Sequence, residues 1–419
     1  MSKYFTEDKN FFKGTNPQDL IEKYGSPLYV YSEDILRERC REMKNLVSYP
    51  KFLSNYSIKA NSNLELLKIT RSEGLVADAM SPGEIYVLEK AGFEYKEMFY
   101  ISNNVSEEEM QFAIDRGIMV SIDSLAQLEM YGKLNPGSKV AIRFNPGVGA
   151  GHSEKVITGG KKTKFGVNID LVPEVKEILD RYNLTLAGIN QHIGSLFMEA
   201  DSYIEGVKSV LAVAEEFENI EFVDFGGGFG IPYRKQEGEA RLDVKEFGRK
   251  LDVVINEWVA KTGKELLFKI EPGRYIAAEC GVILGTVHSI KNNYDRKYVG
   301  TDVGFNVLAR PMTYGSHHDM EIYRNGKIVN EGPEENVHVV GNICESGDIL
   351  AEDRCLPVIK EKDLICITDA GAYGYSMASN YNNRLRPAEV LITSDGSVKL
   401  IRKRDTLDDL VKGFLIWKR

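Results

Sequence analysis

Basic residues are in short supply: 53 Lys and Arg face 62 Asp and Glu, leaving a net charge of −9. A chain with no basic excess and no long basic run is poorly suited to tracking a phosphate backbone, so no nucleic-acid partner is expected. Long apolar runs are missing as well. None approaches the length needed to span a bilayer, and the opening MSKYFTEDKNFF lacks the charged, apolar, small-residue order of a signal peptide. No membrane association and a cytoplasmic location are therefore expected. Cysteine is sparse and scattered (Cys40, Cys280, Cys344, Cys355, Cys366), with no CxxC pair, which argues against a disulfide framework or a zinc ribbon. There is no HExxH. Only His317 and His318 stand together among the six histidines, so no metal is expected. The glycine-rich run DFGGGFG is neither a Walker loop nor GxGxxG, which disfavours a nicotinamide cofactor.

What is present suits a globular chain of two sizeable cores: 419 residues, 43% hydrophobic and 27% charged. Short apolar, β-branched runs alternate with stretches of helical period. Strands are predicted over Phe52–Ala60, Leu75–Met80, Phe99–Asn103, Met119–Asp123, Lys139–Asn145, Leu184–His192, Ile220–Phe225 and Leu267–Glu271. Helices are predicted over Ser62–Ser72, over Pro82–Ala91 with proline in its first turn and Gly92 as its stop, over Ser106–Asp115 with a capping box, and over the amphipathic Asp201–Phe217 and Val244–Lys261. This alternation is what a (β/α)8 barrel of the TIM type requires, although alternation alone also fits an open doubly wound sheet. After Cys280 the strand-like runs have few helices between them: Val282–His288, Lys297–Asp302, Val337–Gly341, Asp363–Asp369, Glu389–Thr393 and Ser397–Arg402. They read as a mostly antiparallel β domain, barrel or sandwich, which Leu28–Tyr31 (LYVY) is expected to join. The predicted division is an α/β barrel over residues 33–280 and a β domain made of 1–32 and 281–419.

Barrel enzymes place their reacting groups at the C-terminal ends of the strands. Here nearly every such end carries a polar or glycine position: Lys59; Ser81 and Glu84; Asn103 and Asn104; Asp123; Asn145; His192 with Ser195; Gly226 to Gly228; Glu271 to Arg274. Lys59 closes an apolar strand. With its stem packed, its amine would be desolvated and made nucleophilic, as a Schiff base with an aldehyde cofactor needs; position alone also fits a surface lysine. DFGGGFG (Asp224–Gly230) bares backbone N–H groups to a phosphate, or simply turns tightly. Glu271, in IEPGRY, ends a buried strand and needs a cation or a proton, which a pyridinium nitrogen or an internal pair with Arg274 would supply. Arg274 could otherwise fork onto a phosphate or a carboxylate. HIGS offers the His192 ring for stacking and the Ser195 hydroxyl for a phosphate, or an ordinary core histidine. In CESGD (Cys344–Asp348) a thiol stands beside two carboxylates that would keep it protonated and ready to give a proton to a carbanion, unless the run is only a polar turn. The polar stretch Asp369–Pro387 is read as a binding loop in which Tyr373 presents its hydroxyl to a phosphate. The turn-rich Gly147–Gly160 is read as a mobile active-site loop.

Together YSIKAN, HIGS, DFGGGFG and EPGRY, in that order, resemble the barrel-fold pyridoxal-phosphate decarboxylases. CESGD, GAYGYSMASNYN and the following RPAEV are most similar to the diaminopimelate branch of that family. The resemblance implies pyridoxal 5'-phosphate held covalently by Lys59, with His192 stacked on its ring and Glu271 paired with its nitrogen. It places Ser195, Gly227, Gly228, Gly273, Arg274 and Tyr373 among the cofactor-binding residues. It assigns Arg274, Arg310, Tyr314, Glu345 and Tyr373 to the substrate, the second and third of these standing in ARPMTYG, and it makes Cys344 the proton donor, so that Lys59, His192 and Cys344 form the catalytic set. In this family Cys344 and Glu345 come from the partner subunit, which implies a head-to-tail homodimer with shared active sites. Thr158–Gly166 matches the family's mobile loop. The reaction implied is decarboxylation of meso-2,6-diaminopimelate to L-lysine and carbon dioxide, the last step of lysine biosynthesis. Rival expectations are a related decarboxylase acting on carboxynorspermidine, D-ornithine or D-lysine, a non-catalytic regulatory homologue, and an amino-acid racemase.

Overall fold

The eight predicted barrel strands pair edge to edge and return to the first. In the computed structural model, which describes residues 4–101, 103–145, 147, 150–151 and 163–415, they are β1 (Phe52–Ser57), β2 (Val76–Ala79), β3 (Met98–Ile101), β4 (Met119–Ile122), β5 (Lys139–Asn145), β6 (Thr185–Asn190), β7 (Phe222–Asp224) and β8 (Leu267–Ile270). Each neighbouring pair is parallel. The register Phe52↔Phe268, Leu53↔Lys269, Ser54↔Ile270 joins β8 to β1. That pairing closes the sheet and excludes the doubly wound alternative, which would leave two edges open.

Local chemistry fixes the helices around this barrel. Ser81 accepts from the Glu84 N–H to start Pro82–Ala91, and Gly92 stops it in the left-handed region. Ser106 and Glu109 close a capping box on Glu107–Ile114. Asp243 caps Val244–Thr262, and Gly263 ends it. Two barrel helices, Leu125–Leu134 and Val172–Arg181, were not foreseen; the first is capped by Ser124. The predicted strands ran past their true ends, most tellingly at β1. After Ser57 the chain turns through a 3₁₀ segment, Ile58–Ala60. Ile58 and Ala60 are buried on either side of an exposed Lys59, the same alternation a strand would produce.

Phe99, Ile101, Ala141 and Phe222 pack together in one apolar cluster, and the ring of Phe222 fills the space a Cβ on Gly188 would need. Other buried strand positions are polar and pair with one another. Ser57 donates to Asp78, Asn55 donates to Asp224, and Ser121 donates to Asn190.

The barrel unit comprises Arg37–Ile231 and Arg241–Ile276. The second unit comprises Met1–Leu36, Pro232–Ala240 and Ala277–Arg419. The second unit's sheet is mostly antiparallel. Its order is Lys327–Ile328, Met320–Arg324, Leu364–Ile367, Gly281–Asn293, Leu28–Ser32, Ala388–Ile392, Val398–Arg402, and Gly281–Asn293 continues through Arg296–Thr301 and Glu334–Val340 to Ile349–Pro357. Leu28–Ser32 joins this sheet as expected, antiparallel to Gly281–Leu284 and parallel to Ala388–Ile392. The loop expected over 147–160, with its continuation to 166, lies for the most part outside the described residues. No helix among the described residues is long and apolar enough to cross a membrane.

Candidate active site

The polar ends of the barrel strands converge on a set of buried carboxylates, a histidine and a glycine loop. Glu271, just past β8, is buried. Burial first, then Asp224 and Asp78, push its carboxyl well above the usual range, while Lys59 and Arg143 pull it back. Glu271 and Asp224 share a hydrogen bond, yet Glu271 Oε1 has no hydrogen-bond partner among the described residues. Asp78 on β2 is pushed up to about 8 by burial, against the opposing charge of Lys59 and the hydroxyl of Ser57. Lys59 itself was expected to be desolvated. It is exposed, because the turn after β1 carries it beyond the strand. Its charge nevertheless acts on Asp78, Glu84, His192 and Glu271, which puts the lysine in one electrostatic neighbourhood with the residues predicted to share its site.

His192 accepts the Gly227 N–H at Nδ1 (3.0 Å), which assigns the proton of the neutral ring to Nε2. Burial, then the charges of Lys59 and Arg143, push its basicity well below the ordinary range, so the ring is neutral at pH 7. Arg143, buried on β5, donates to the His192 carbonyl (3.3 Å) and lies over the Phe165 ring at 4.5 Å.

The glycine loop after β7 leaves no room for side chains. A Cβ on Gly226 would stand 2.2 Å from the Gln191 carbonyl oxygen, and one on Gly227 would stand 2.2 Å from that of Glu271. Gly228 has φ +105°. Asp224 accepts the Gly226 N–H at 2.9 Å, and Tyr203 donates to the Gly226 carbonyl at 3.0 Å. Arg274 donates to Ser195 Oγ (3.1 Å), and a Cβ on Gly273 would touch Ser57 and Ala60. A guanidinium, a hydroxyl and a bare backbone turn suit an anion. The unpartnered Oε1 of Glu271 suits a cationic ring N–H. A flat heterocycle with a protonated nitrogen at one end and a phosphate at the other satisfies both.

Other polar strand ends serve the scaffold. Ser81 caps a helix, and Glu84 accepts the Met80 N–H at 2.6 Å. Asp123 takes hydrogen bonds from Asn103 and from the Gly166 N–H.

Within the β unit, Cys344 and Glu345 are exposed on one turn, and the Cys344 N–H is held by Asn382 Oδ1 at 2.7 Å. Asp348 is not a second acid beside the thiol: it is buried and accepts the N–H groups of Phe305 and Ile343 at 2.6 and 2.7 Å, so it builds the turn. Arg310 is buried. It donates to His318 Nε2 (2.8 Å) and Ser316 Oγ (3.2 Å) and lies over the Tyr233 ring at 4.5 Å. Tyr314 ends the same short helix, half-buried. Tyr373 is half-buried with a left-handed backbone, φ +56°. The sequence reading missed Asp78 and Arg143 as members of the site. Their one signal was a lone charge inside an apolar strand, VADAM and KVAIRFN.

Known proteins match this arrangement along the chain. Residues 33–278 match the family model described as pyridoxal-dependent decarboxylase, pyridoxal binding domain. The chain is similar to a diaminopimelate decarboxylase from Methanothermobacter thermautotrophicus, 41% identical over 409 residues, covering 96% of this chain and 94% of the relative. It superposes on a crystal structure of diaminopimelate decarboxylase with TM-score 0.87 and 31% identity, covering 96% of each. It also superposes on the Helicobacter pylori diaminopimelate decarboxylase complexed with L-lysine, with TM-score 0.85 and 29% identity, covering 95% of this chain and 98% of that one.

Proposed function

This chain belongs to the pyridoxal-dependent decarboxylases and, within them, to the diaminopimelate decarboxylases; on that premise we propose that it converts meso-2,6-diaminopimelate to L-lysine and carbon dioxide, closing lysine biosynthesis. It is a carboxy-lyase that uses pyridoxal 5'-phosphate. The observation that carries the site assignment is the buried Glu271 Oε1, short of a donor beside a glycine loop and within the field of Lys59. When bound, the cofactor supplies a protonated ring that takes up the electron pair left by the departing carboxylate.

The remaining work falls to residues of the chain. Lys59 would supply the amine that holds the cofactor. Glu271 would keep the ring nitrogen protonated. His192, already neutral, would flank the ring without adding a competing charge. Ser195, the turn at Gly227 and Gly228, Gly273, Arg274 and the Tyr373 hydroxyl would hold the phosphate. Arg274, Arg310 and Tyr314 receive the distal end of the substrate, where a second carboxylate distinguishes diaminopimelate from lysine or ornithine. Glu345 meets an ammonium, and Cys344 gives its proton to the α-carbon. The L-lysine held by the Helicobacter pylori relative is the product this reading requires. Both Cys344 and Glu345 lie exposed on their own chain, which suits delivery to a second subunit in a head-to-tail homodimer with shared sites. A thiol that must stay reduced to act also suits the cytoplasm.

One experiment tests both parts. The purified holoprotein should absorb near about 420 nm and release carbon dioxide from meso-diaminopimelate; Lys59→Ala should lose both. Mixing inactive Lys59→Ala with inactive Cys344→Ala should restore about a quarter of wild-type activity, because half of randomly formed dimers carry one intact site of two. Turnover of carboxynorspermidine or D-ornithine, with none of diaminopimelate, would sink the substrate. A band that survives Lys59→Ala would sink the site, and no recovery on mixing would sink the shared dimer.

A further inference from the structure

Between the glycine loop and the helix Val244–Thr262, the segment Pro232–Ala240 groups with the β unit rather than with the barrel. Its 3₁₀ turn Lys235–Glu237 brings a cation to two buried acids of the β unit. Lys235 Nζ lies 2.6 and 2.7 Å from the two oxygens of Asp369 and 3.5 Å from Glu279 Oε1, and both carboxylates are fully buried. The Phe5 ring covers the ammonium at 4.9 Å. The neighbouring Gln236 ties the same turn to Asp319 and to the Met320 carbonyl, each at 3.0 Å.

Asp369 opens the run Asp-Ala-Gly-Ala-Tyr that leads to Tyr373. It has φ +58°, and Tyr373 has φ +56°. Aspartate tolerates the left-handed region, whereas tyrosine holds it only when its surroundings enforce it. The backbone between them is pinned from one side, by Ala370 N–H to the Gly281 carbonyl (2.8 Å) and Gly371 N–H to the Ala278 carbonyl (3.0 Å). A Cβ at Gly371 would stand 1.9 Å from the Ala277 carbonyl oxygen, so the run cannot slide inward. The Asp369 carboxylate is held by the lysine and, at 3.2 Å, by the Thr368 hydroxyl. Without the lysine, a buried Asp369 charge would keep, among the described residues, only that neutral donor, and the cheapest relief is to turn Asp369 out toward water.

We propose that Lys235 is a positioning residue for cofactor binding: by clamping Asp369 it fixes the left-handed turn that presents Tyr373 to the phosphate. This rests on the reading of Tyr373 as a phosphate ligand. The clamp acts on no reacting atom, so it governs how tightly the cofactor is kept and not how fast the loaded enzyme turns over.

The test measures the dissociation constant of pyridoxal phosphate by absorbance titration of the apoprotein. The variants are Tyr373→Phe, Lys235→Met, Lys235→Arg, Asp369→Asn and the double variant Lys235→Met/Tyr373→Phe. Loss of one charge-assisted hydrogen bond should loosen the cofactor about tenfold in Tyr373→Phe. Lys235→Met and Asp369→Asn should loosen it by a similar factor, Lys235→Arg should recover most of it, and kcat at saturating cofactor should stay near wild type. The double variant should bind no more weakly than the weaker single variant, because the lysine acts only through the tyrosine. Unchanged affinity in Tyr373→Phe overturns the phosphate reading itself. Loosening there with unchanged affinity in both Lys235→Met and Asp369→Asn overturns the clamp alone, as does additivity in the double variant. If Lys235→Met fails to fold, Asp369→Asn, which keeps the shape and removes the charge, decides the matter by the same criteria.

Discussion

Glu271 is held at a cost to the resting fold. Its Oε1 is buried without a hydrogen-bond partner among the described residues, a state worth about 1–3 kcal/mol of destabilisation, and its other neighbours, Asp224 and Asp78, repel its negative form. A glutamine of the same shape keeps a donor for Asp224 and leaves its own Oε1 equally short of a partner. Glu271→Gln should therefore leave the melting temperature of the apoprotein near that of wild type. It should also lower kcat by about 10²-fold, because the ring nitrogen loses the anion that keeps it protonated. Unaltered kcat would mean that the carboxylate does nothing for the reaction. Lys59 makes the complementary point at this scale: it is exposed, and its reach to the buried acids is electrostatic, so its role follows from where it stands and not from desolvation.

At the scale of elements, the loop after β7 is defined by what it cannot contain. An alanine at Gly227 would drive its Cβ against the Glu271 carbonyl oxygen, forcing β7 and β8 apart at the point where Asp224 pairs with Lys269. Gly227→Ala should cost about 1–3 kcal/mol and abolish retention of pyridoxal phosphate through dialysis. Gly263→Ala makes the contrast: that glycine, at φ +70°, faces open space at a helix end, so the change should cost about 1 kcal/mol and leave the cofactor in place. Equal cofactor loss in both would refute the cradle. The elements that sequence revealed were those with a local cause, such as the Ser81, Ser106 and Asp243 caps and the apolar cores of the barrel strands. Ile349–Pro357 escaped because its centre, Glu352-Asp353-Arg354, is polar, and its strand character comes from pairing with Glu334–Val340. Asp78 and Arg143 escaped because a lone charge in an apolar strand has no meaning until closure brings β2, β5 and β8 around one interior. The glycine loop, Lys59, His192 and Glu271 could be singled out because each follows within two residues of a strand's end, a position that the apolar run before it does encode.

For the whole molecule, the buried acids set an unusual dependence of stability on pH. Glu321 lies in the β unit, bound by Thr6 through both its N–H and its hydroxyl, and burial pushes it up from 4.5 to about 7. An acid whose folded value exceeds its unfolded value binds its proton more tightly in the folded chain, so its stabilising contribution is complete below pH 4.5 and is lost as the pH rises toward 7. The loss from this one group is at most about 3 kcal/mol. Asp78, up to about 8, has the same sign over a longer range. Acids held low by partners, among them Glu73 beside Arg41 and Arg37, act in the opposite sense, but their window lies at and below their ordinary values and closes before Glu321 begins to ionise. The buried His192 and His318, held neutral in the folded chain, act the other way up to about pH 6.5, so unfolding of the apoprotein should become easier from there to about pH 8. Glu321→Gln, which keeps an acceptor for the Thr6 N–H and never ionises, should match wild type near pH 5 and exceed it near pH 8 by up to about 3 kcal/mol. Calorimetry at the two pH values decides it: an advantage for the variant that does not grow with pH would show that Glu321 gains no charge in the folded chain over this range.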